Sequence, residues 1–374
     1  MIRHWPLMAL VSGGLFLVCA GSIHAMVVPT SRFDTELPLD AAPPPRHQPW
    51  WVGFNDDTMN QLIRAARLHS VSVRPSRPLD AVPLETGVAA AYVSMRALEL
   101  GLMYLEKERS AIERQLVLMV ASQPEHDDFI KELSGRMSTA DESIRKTQAQ
   151  RVILAAFLAA QCGMSQAALA DAIAQVHSNS SRAIPRFFSA VPRALPMALL
   201  VNRDDVNLAA ALYGVDSAAL LGGVIETTDE LTITTPPDDS EENDGAETVL
   251  PGHPLYLAVV AHARKEASEA LYRLQARSDI ANTAYSRVQR AGAEFDASNR
   301  RRDRGEVSEV LLMEDFQTML QDLRALAVAN GELAIAWIAL IDRLGSGTSL
   351  DGGPALQSAG TRVRPKVSRK PSDP

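Results

Sequence analysis

Apolar residues recur along most of this chain at alternating steps of three and four. Val88, Ala91, Met95, Leu98, Leu102, Leu105, Ile112, Leu116 and Met119 form the first run, broken only at Arg109. Such a stagger keeps one apolar stripe on one face of an α-helix, the seam that a left-handed coiled coil buries. Pro124 and the acidic stretch Glu125-His126-Asp127-Asp128 interrupt it. It resumes at Ile130, Leu133, Met137, Ala140, Ile144, Thr147, Leu154 and Leu158, and Gly163 can end the helix. Two long helices with a short polar break predict an antiparallel hairpin over residues 88–163. Each arm is roughly 50 Å long at a rise of about 1.5 Å per residue.

A second pair follows Pro254 and predicts another long hairpin over residues 255–347. Leu257, Val260, Ala267, Leu271, Leu274, Ala281, Tyr285, Val288 and Phe295 keep the stagger until Arg300–Arg304 and Gly305 break it. Leu312, Phe316, Met319, Leu323, Leu326, Leu333, Trp337, Leu340 and Leu344 then continue, and Gly345-Ser346-Gly347 stops the helix. Trp337 and Tyr285 lie on these seams and are expected in the core.

Shorter elements precede each hairpin. Residues 26–49 are a Pro-rich leader without periodicity. After Trp50-Trp51 and Phe54, Asp56 or Asp57 caps a short helix carrying Met59, Leu62, Ile63 and Ala66. Residues 71–87 read as a connector without helix or long strand. A short helix around Gln166–Val176 leads to the loop Ser178–Ser181, and Leu199–Val206 opens another helix. Residues 50–214 thus read as a first repeat, and residues 215–254 as an acidic connector in which Leu231–Thr234 offers at most one short strand. Residues 348–374 read as a disordered tail. The predicted fold is mainly α: long antiparallel coiled-coil hairpins in two repeats, with little β-strand.

Composition agrees. Apolar residues make up 46% of the chain but aromatics only 5%, which suits Ala- and Leu-rich helix packing. A net charge of -8 argues against a nucleic-acid partner. Residues 1–25 read as a signal peptide: Arg3 and His4, then an apolar stretch from Leu7 to Ala20, then a small residue at Ala25. Acylation of Cys19 is not expected, because Phe16-Leu17-Val18 lacks the small residue that lipoprotein signals place before the cysteine. Cleavage would leave Cys162 as the single thiol, so no intrachain disulfide is expected.

Candidate chemistry is sparse. Glu125-His126-Asp127-Asp128 reads as a solvated tip rather than a metal site, since no partner histidine stands at helical spacing. Asp238–Gly245 lacks the alternating acids and final glutamate of a calcium loop. His253 and His262 are isolated, and Asp56-Asp57 reads as capping. Without any nucleophile–base phrase, neither enzyme activity nor a cofactor or metal is expected. The most pointed cluster is Arg300-Arg301-Arg302 with Arg304, either a solvated helix end or a contact for an acidic partner surface.

Five phrases, in order over residues 50–347, resemble the TolC-like outer-membrane factors of resistance-nodulation-division pumps. They are Trp50-Trp51 with Phe54 and Asp56; Val88-Ala89-Ala90-Ala91-Tyr92; Leu195-Pro196 with Leu199-Leu200 and Asn202–Val206; Arg304-Gly305-Glu306-Val307-Ser308; and Leu340–Gly347. The resemblance implies a TolC-like α-barrel subunit acting as a homotrimer in the outer membrane and periplasm. It would serve as a passive conduit for small molecules beside a periplasmic adaptor and an inner-membrane pump. It also places an adaptor-contact helix tip at Arg304, Gly305, Val307, Ser308 and Glu309. Family members build a β-barrel from four strands per subunit. A membrane strand takes about 9–11 alternating residues, and four cannot be found here, so the barrel is expected to be reduced. The alternative is a non-conducting periplasmic coiled-coil interaction protein derived from that family.

Overall fold

The computed structural model describes residues 49–73, 83–122, 126–177, 184–187, 189–215, 224–226 and 254–345. The expected signal peptide, most of the Pro-rich leader, the Leu231–Thr234 strand and the C-terminal tail lie outside them. Seven α-helices are described: α1 Asp57–Val73, α2 Leu84–Ser122, α3 Asp127–Cys162, α4 Gln166–His177, α5 Asp204–Tyr213, α6 Pro254–Asp303 and α7 Glu309–Leu344. Two short strands, β1 Ala194–Pro196 and β2 Val224–Glu226, complete the regular structure with two 3-10 turns. Among the described residues the fold is mainly α with almost no strand.

The described residues fall into two compact units, and each draws on both halves of the chain. The first holds Trp51–Val191 and Tyr272–Asp342; the second holds Pro192–Leu271 and the residues from Arg343 on.

In the first unit, Asp56 rather than Asp57 caps α1: its Oδ1 accepts the Met59 N–H at 2.8 Å. The connector expected to be helix-free over 71–87 is helical at both ends. Helix α1 continues through Val73. Helix α2 starts at Leu84, directly after Pro83, whose carbonyl accepts the Gly87 N–H at 3.0 Å. A proline can stand at a helix start because its missing N–H would have no partner there.

Helix α3 buries a narrow seam. Leu133, Ala140, Thr147 and Leu154 are buried one heptad apart, whereas Ile130, Met137 and Ile144 are half-buried. Gly163 ends the helix in the left-handed conformation at φ 64°. Helix α2 is buried on two sides. Arg109, which interrupts the apolar stagger, donates to Asp141 of α3 at 2.8 Å. Its other side meets α7, where Thr86 donates to Asp342 at 3.3 Å and Gln317 to Gln115 at 2.6 Å. Both α2 and α7 contain apolar windows long enough by length and composition to cross a membrane. Two-sided burial in the helix packing accounts for that apolarity.

Helices α6 and α7 pair antiparallel. Arg277 bonds Glu332 at 2.8 Å, Arg287 bonds Asp322 at 2.6 Å, and the rings of Phe295 and Phe316 lie 5.1 Å apart. Tyr285, expected in the core, is only half-buried; the small Ala281 and Ala284 hold the centre with Ala329, and Leu326 and Leu333 pack over them. Alanine lets the helices approach more closely than a tyrosine ring would. Trp337 is buried and stacks on Phe187, whose ring meets Phe54 edge-on at 5.1 Å.

In the second unit, β1 and β2 pair antiparallel with Leu195 opposite Ile225. The helix expected over Leu199–Val206 is divided. A 3-10 turn covers Met197–Asn202, Arg203 is extended at φ -84° and ψ 134°, and α5 begins at Asp204. The Arg203 guanidinium binds Asp205 on α5, Glu266 on α6 and the carbonyl of Arg343. Gly345, at φ 97°, lies so close to the Asn202 carbonyl that no Cβ fits.

Candidate functional site

The turn joining α6 to α7 is built from its own backbone. Gly305 takes φ 75°, a conformation that costs other residues roughly 1–2 kcal/mol. Its N–H reaches the Arg302 carbonyl at 2.8 Å, and the Glu306 N–H reaches that of Arg301 at 3.0 Å. This pair of bonds is a Schellman motif, and it satisfies carbonyls that the helix end would leave open. Ser308 then caps α7, its Oγ accepting the Leu311 N–H at 3.3 Å. Glu309 stands in the first turn of α7, where the helix dipole favours a carboxylate. It also accepts two bonds from Arg114 of α2, at 2.9 and 3.0 Å.

The charges at the tip are matched locally. Arg304 donates to both oxygens of Glu306 at 2.6 and 3.0 Å, which raises the guanidinium's pKa and lowers the carboxyl's. Arg301 stands 3.8 Å from Glu306, and Arg302 binds the neighbouring Asp303. Arg304, Gly305, Val307, Ser308 and Glu309 therefore share one turn, but they do not share one surface. Val307 is folded inward at 9% exposure, and Glu309 is engaged by Arg114. The outward groups are Arg304, Gly305, Glu306 and Ser308, a face of mixed charge.

Residues 123–125 lie outside the described part; His126 precedes α3 without a side-chain capping bond, and Asp127 and Asp128 are exposed in its first turn. His253 and Asp238–Gly245 also lie outside the described residues. His262 is exposed, 3.7 Å from Glu266. Among the described residues no three His, Cys, Asp or Glu side chains could hold a metal ion together. Cys162 is buried, donates to the Leu62 carbonyl at 3.4 Å, and has its thiol pushed up to about 11 by burial.

A polar layer inside the first unit lies outside the apolar periodicity. Glu108, Gln115, Gln317 and Arg324 are all buried where α2 meets α7. The available signal was their spacing: one heptad separates each pair on its own helix.

At the level of sequence, no protein-family model and no curated protein matches the chain. Solved structures do match. The outer-membrane channel OprN aligns at 14% identity and a TM-score of 0.53, over 86% of this chain and 99% of its own. The Campylobacter jejuni outer-membrane channel CmeC aligns at 11% identity and a TM-score of 0.53, over 92% and 98%. CusC, described as forming a transmembrane channel, aligns at 14% identity and a TM-score of 0.52, over 78% and 97%.

This is the TolC-like channel fold. Within it, the Arg304–Glu309 turn joins the last two long helices, α6 and α7. All three of these structures are described as channels.

Proposed function

We propose that this chain is the helical, periplasmic part of an outer-membrane channel component in a tripartite efflux system. In this reading it is exported by its signal peptide and assembles as a homotrimer. It passes small molecules without bond chemistry. The observation that carries the reading is the end-to-end likeness to outer-membrane channels, which includes both long hairpins. The Arg304-Gly305-Glu306 face is where a periplasmic adaptor would dock, itself joined to an inner-membrane pump. Movement of the α6–α7 pair would open or close the conduit.

One observation favours the second reading, a periplasmic scaffold that does not conduct. Only the ten residues Arg74–Pro83 separate α1 from α2, whereas one membrane strand takes about 9–11 residues and a hairpin about twice that.

Fractionation of a Gram-negative host expressing the full chain, cross-linking in detergent and planar-bilayer conductance separate the readings. A trimer in the outer-membrane fraction with steady unit conductance supports the conduit. A periplasmic protein without conductance, monomer or oligomer, supports the scaffold and overturns the conduit, and a protein retained in the cytoplasm overturns both.

A further inference from the structure

One polar layer interrupts the apolar contact between α2 and α7. In antiparallel register, Arg324 Nη1 donates to Glu108 Oε2 at 3.3 Å and Gln317 Nε2 to Gln115 Oε1 at 2.6 Å. Arg136 of α3 donates to Gln317, and Gln115 Nε2 to Glu314 Oε1 at 3.2 Å. Glu108 is 0% exposed, and its Oε1 has no hydrogen-bond partner. An anionic oxygen without a donor in an apolar interior is the costly form of a carboxyl; the neutral form costs less. Beside the layer, Gly101, Leu105, Thr147, Arg324, Val328 and Gly331 line a cavity of ≈ 30 Å³, large enough for about one water.

We propose that Glu108 makes the seam between the two hairpins proton-dependent, tight while its carboxyl is neutral and loosened when it ionises. Arg324 can donate to Oε2 in either state, so the change centres on Oε1. The charged groups facing Glu108 are Arg324 from α7 and Arg136 from α3, with Glu314 of α7 joining the layer through Gln115. On its own helix the buried Tyr104 lies one turn earlier, its hydroxyl pushed up to about 12 by burial. Burial outweighs both guanidinium groups and pushes the Glu108 carboxyl from 4.5 up to about 7. Where the seam opens and water reaches it, the carboxyl returns to its ordinary value. The packed state therefore holds the proton more tightly, and the seam weakens as the pH rises from 4.5 through about 7. By linkage, the opening equilibrium rises about tenfold between pH 6 and pH 8. The proposal stands whether or not the assembly conducts.

Amide hydrogen exchange of the full-length protein in detergent tests it. Peptides from residues 101–115 and 317–331 are followed from pH 5 to pH 9 and corrected for intrinsic exchange rates. The wild type should open about tenfold more readily at pH 8 than at pH 6. Glu108→Gln should remove that slope and stay protected throughout. Arg324→Gln should move the midpoint to higher pH, because it removes a cation that favours the charged form. A flat or reversed wild-type profile overturns the proposal, as does an unchanged slope in Glu108→Gln. If Glu108→Gln does not fold, the Arg324→Gln midpoint decides, and one that stays or falls overturns it.

Discussion

Replacing Arg203 by lysine asks whether the second unit is held by a positive charge or by the shape of a guanidinium. Arg203 donates Nε and Nη2 to the two oxygens of Asp205 at 2.9 and 2.7 Å, Nη1 and Nη2 to Glu266 at 3.0 Å, and Nη1 to the Arg343 carbonyl at 2.9 Å. One side chain thus joins α5, α6 and the end of α7, and it is only 12% exposed. Lysine keeps the charge but has a single donor head on a flexible stem, so it cannot fork between these partners. A hydrogen bond to a charged group contributes about 1.5–3 kcal/mol. Two facts reduce the loss: Asp205 is 46% exposed, so water screens it, and Glu266 keeps a 2.9 Å bond from Arg343. The net loss is about 2 kcal/mol for Arg203→Lys and about 3 kcal/mol for Arg203→Ala. Urea denaturation measures it, and amide exchange over α5 localises it. A lysine variant within about 0.5 kcal/mol of wild type would refute the argument. The same contact has a pH signature. The Arg203 guanidinium holds the Asp205 carboxyl below its ordinary 3.8, so this stabilisation is complete above that value and lost as the pH falls through the lower folded one. Wild type and Arg203→Lys should converge in acid.

The remaining predictions concern the turns and the seam. Gly345→Ala should cost about 3 kcal/mol in urea denaturation, from a positive φ and from the Asn202 carbonyl occupying the Cβ position. Gly305→Ala, with open space around it, should cost only about 1 kcal/mol. Ser308→Ala should remove about 1 kcal/mol and speed amide exchange in the first turn of α7, since Oγ no longer caps Leu311. Leu133→Ala, at 0% exposure, should cost about 2–5 kcal/mol, and Ile144→Ala clearly less because that side chain is half-buried.

The helices and several of their ends follow from local residue patterns. A helical period is written within four neighbouring residues, so Leu133, Ala140, Thr147 and Leu154 declare their face without help from the rest of the chain. The glycines at 163 and 305 work equally locally, each taking a positive φ that most residues avoid. Which apolar residues the core receives, and which polar ones join them, depends on packing between distant helices. Tyr285 and Ala284 are neighbours on one helix, and the closeness of α7 selects the alanine. Glu108 meets Arg324, and Arg203 meets Glu266 and Arg343, through antiparallel register and unit assembly that no local pattern encodes. The pairing of Leu195 with Ile225 was hidden for the same reason, because three-residue strands are too short to show a period.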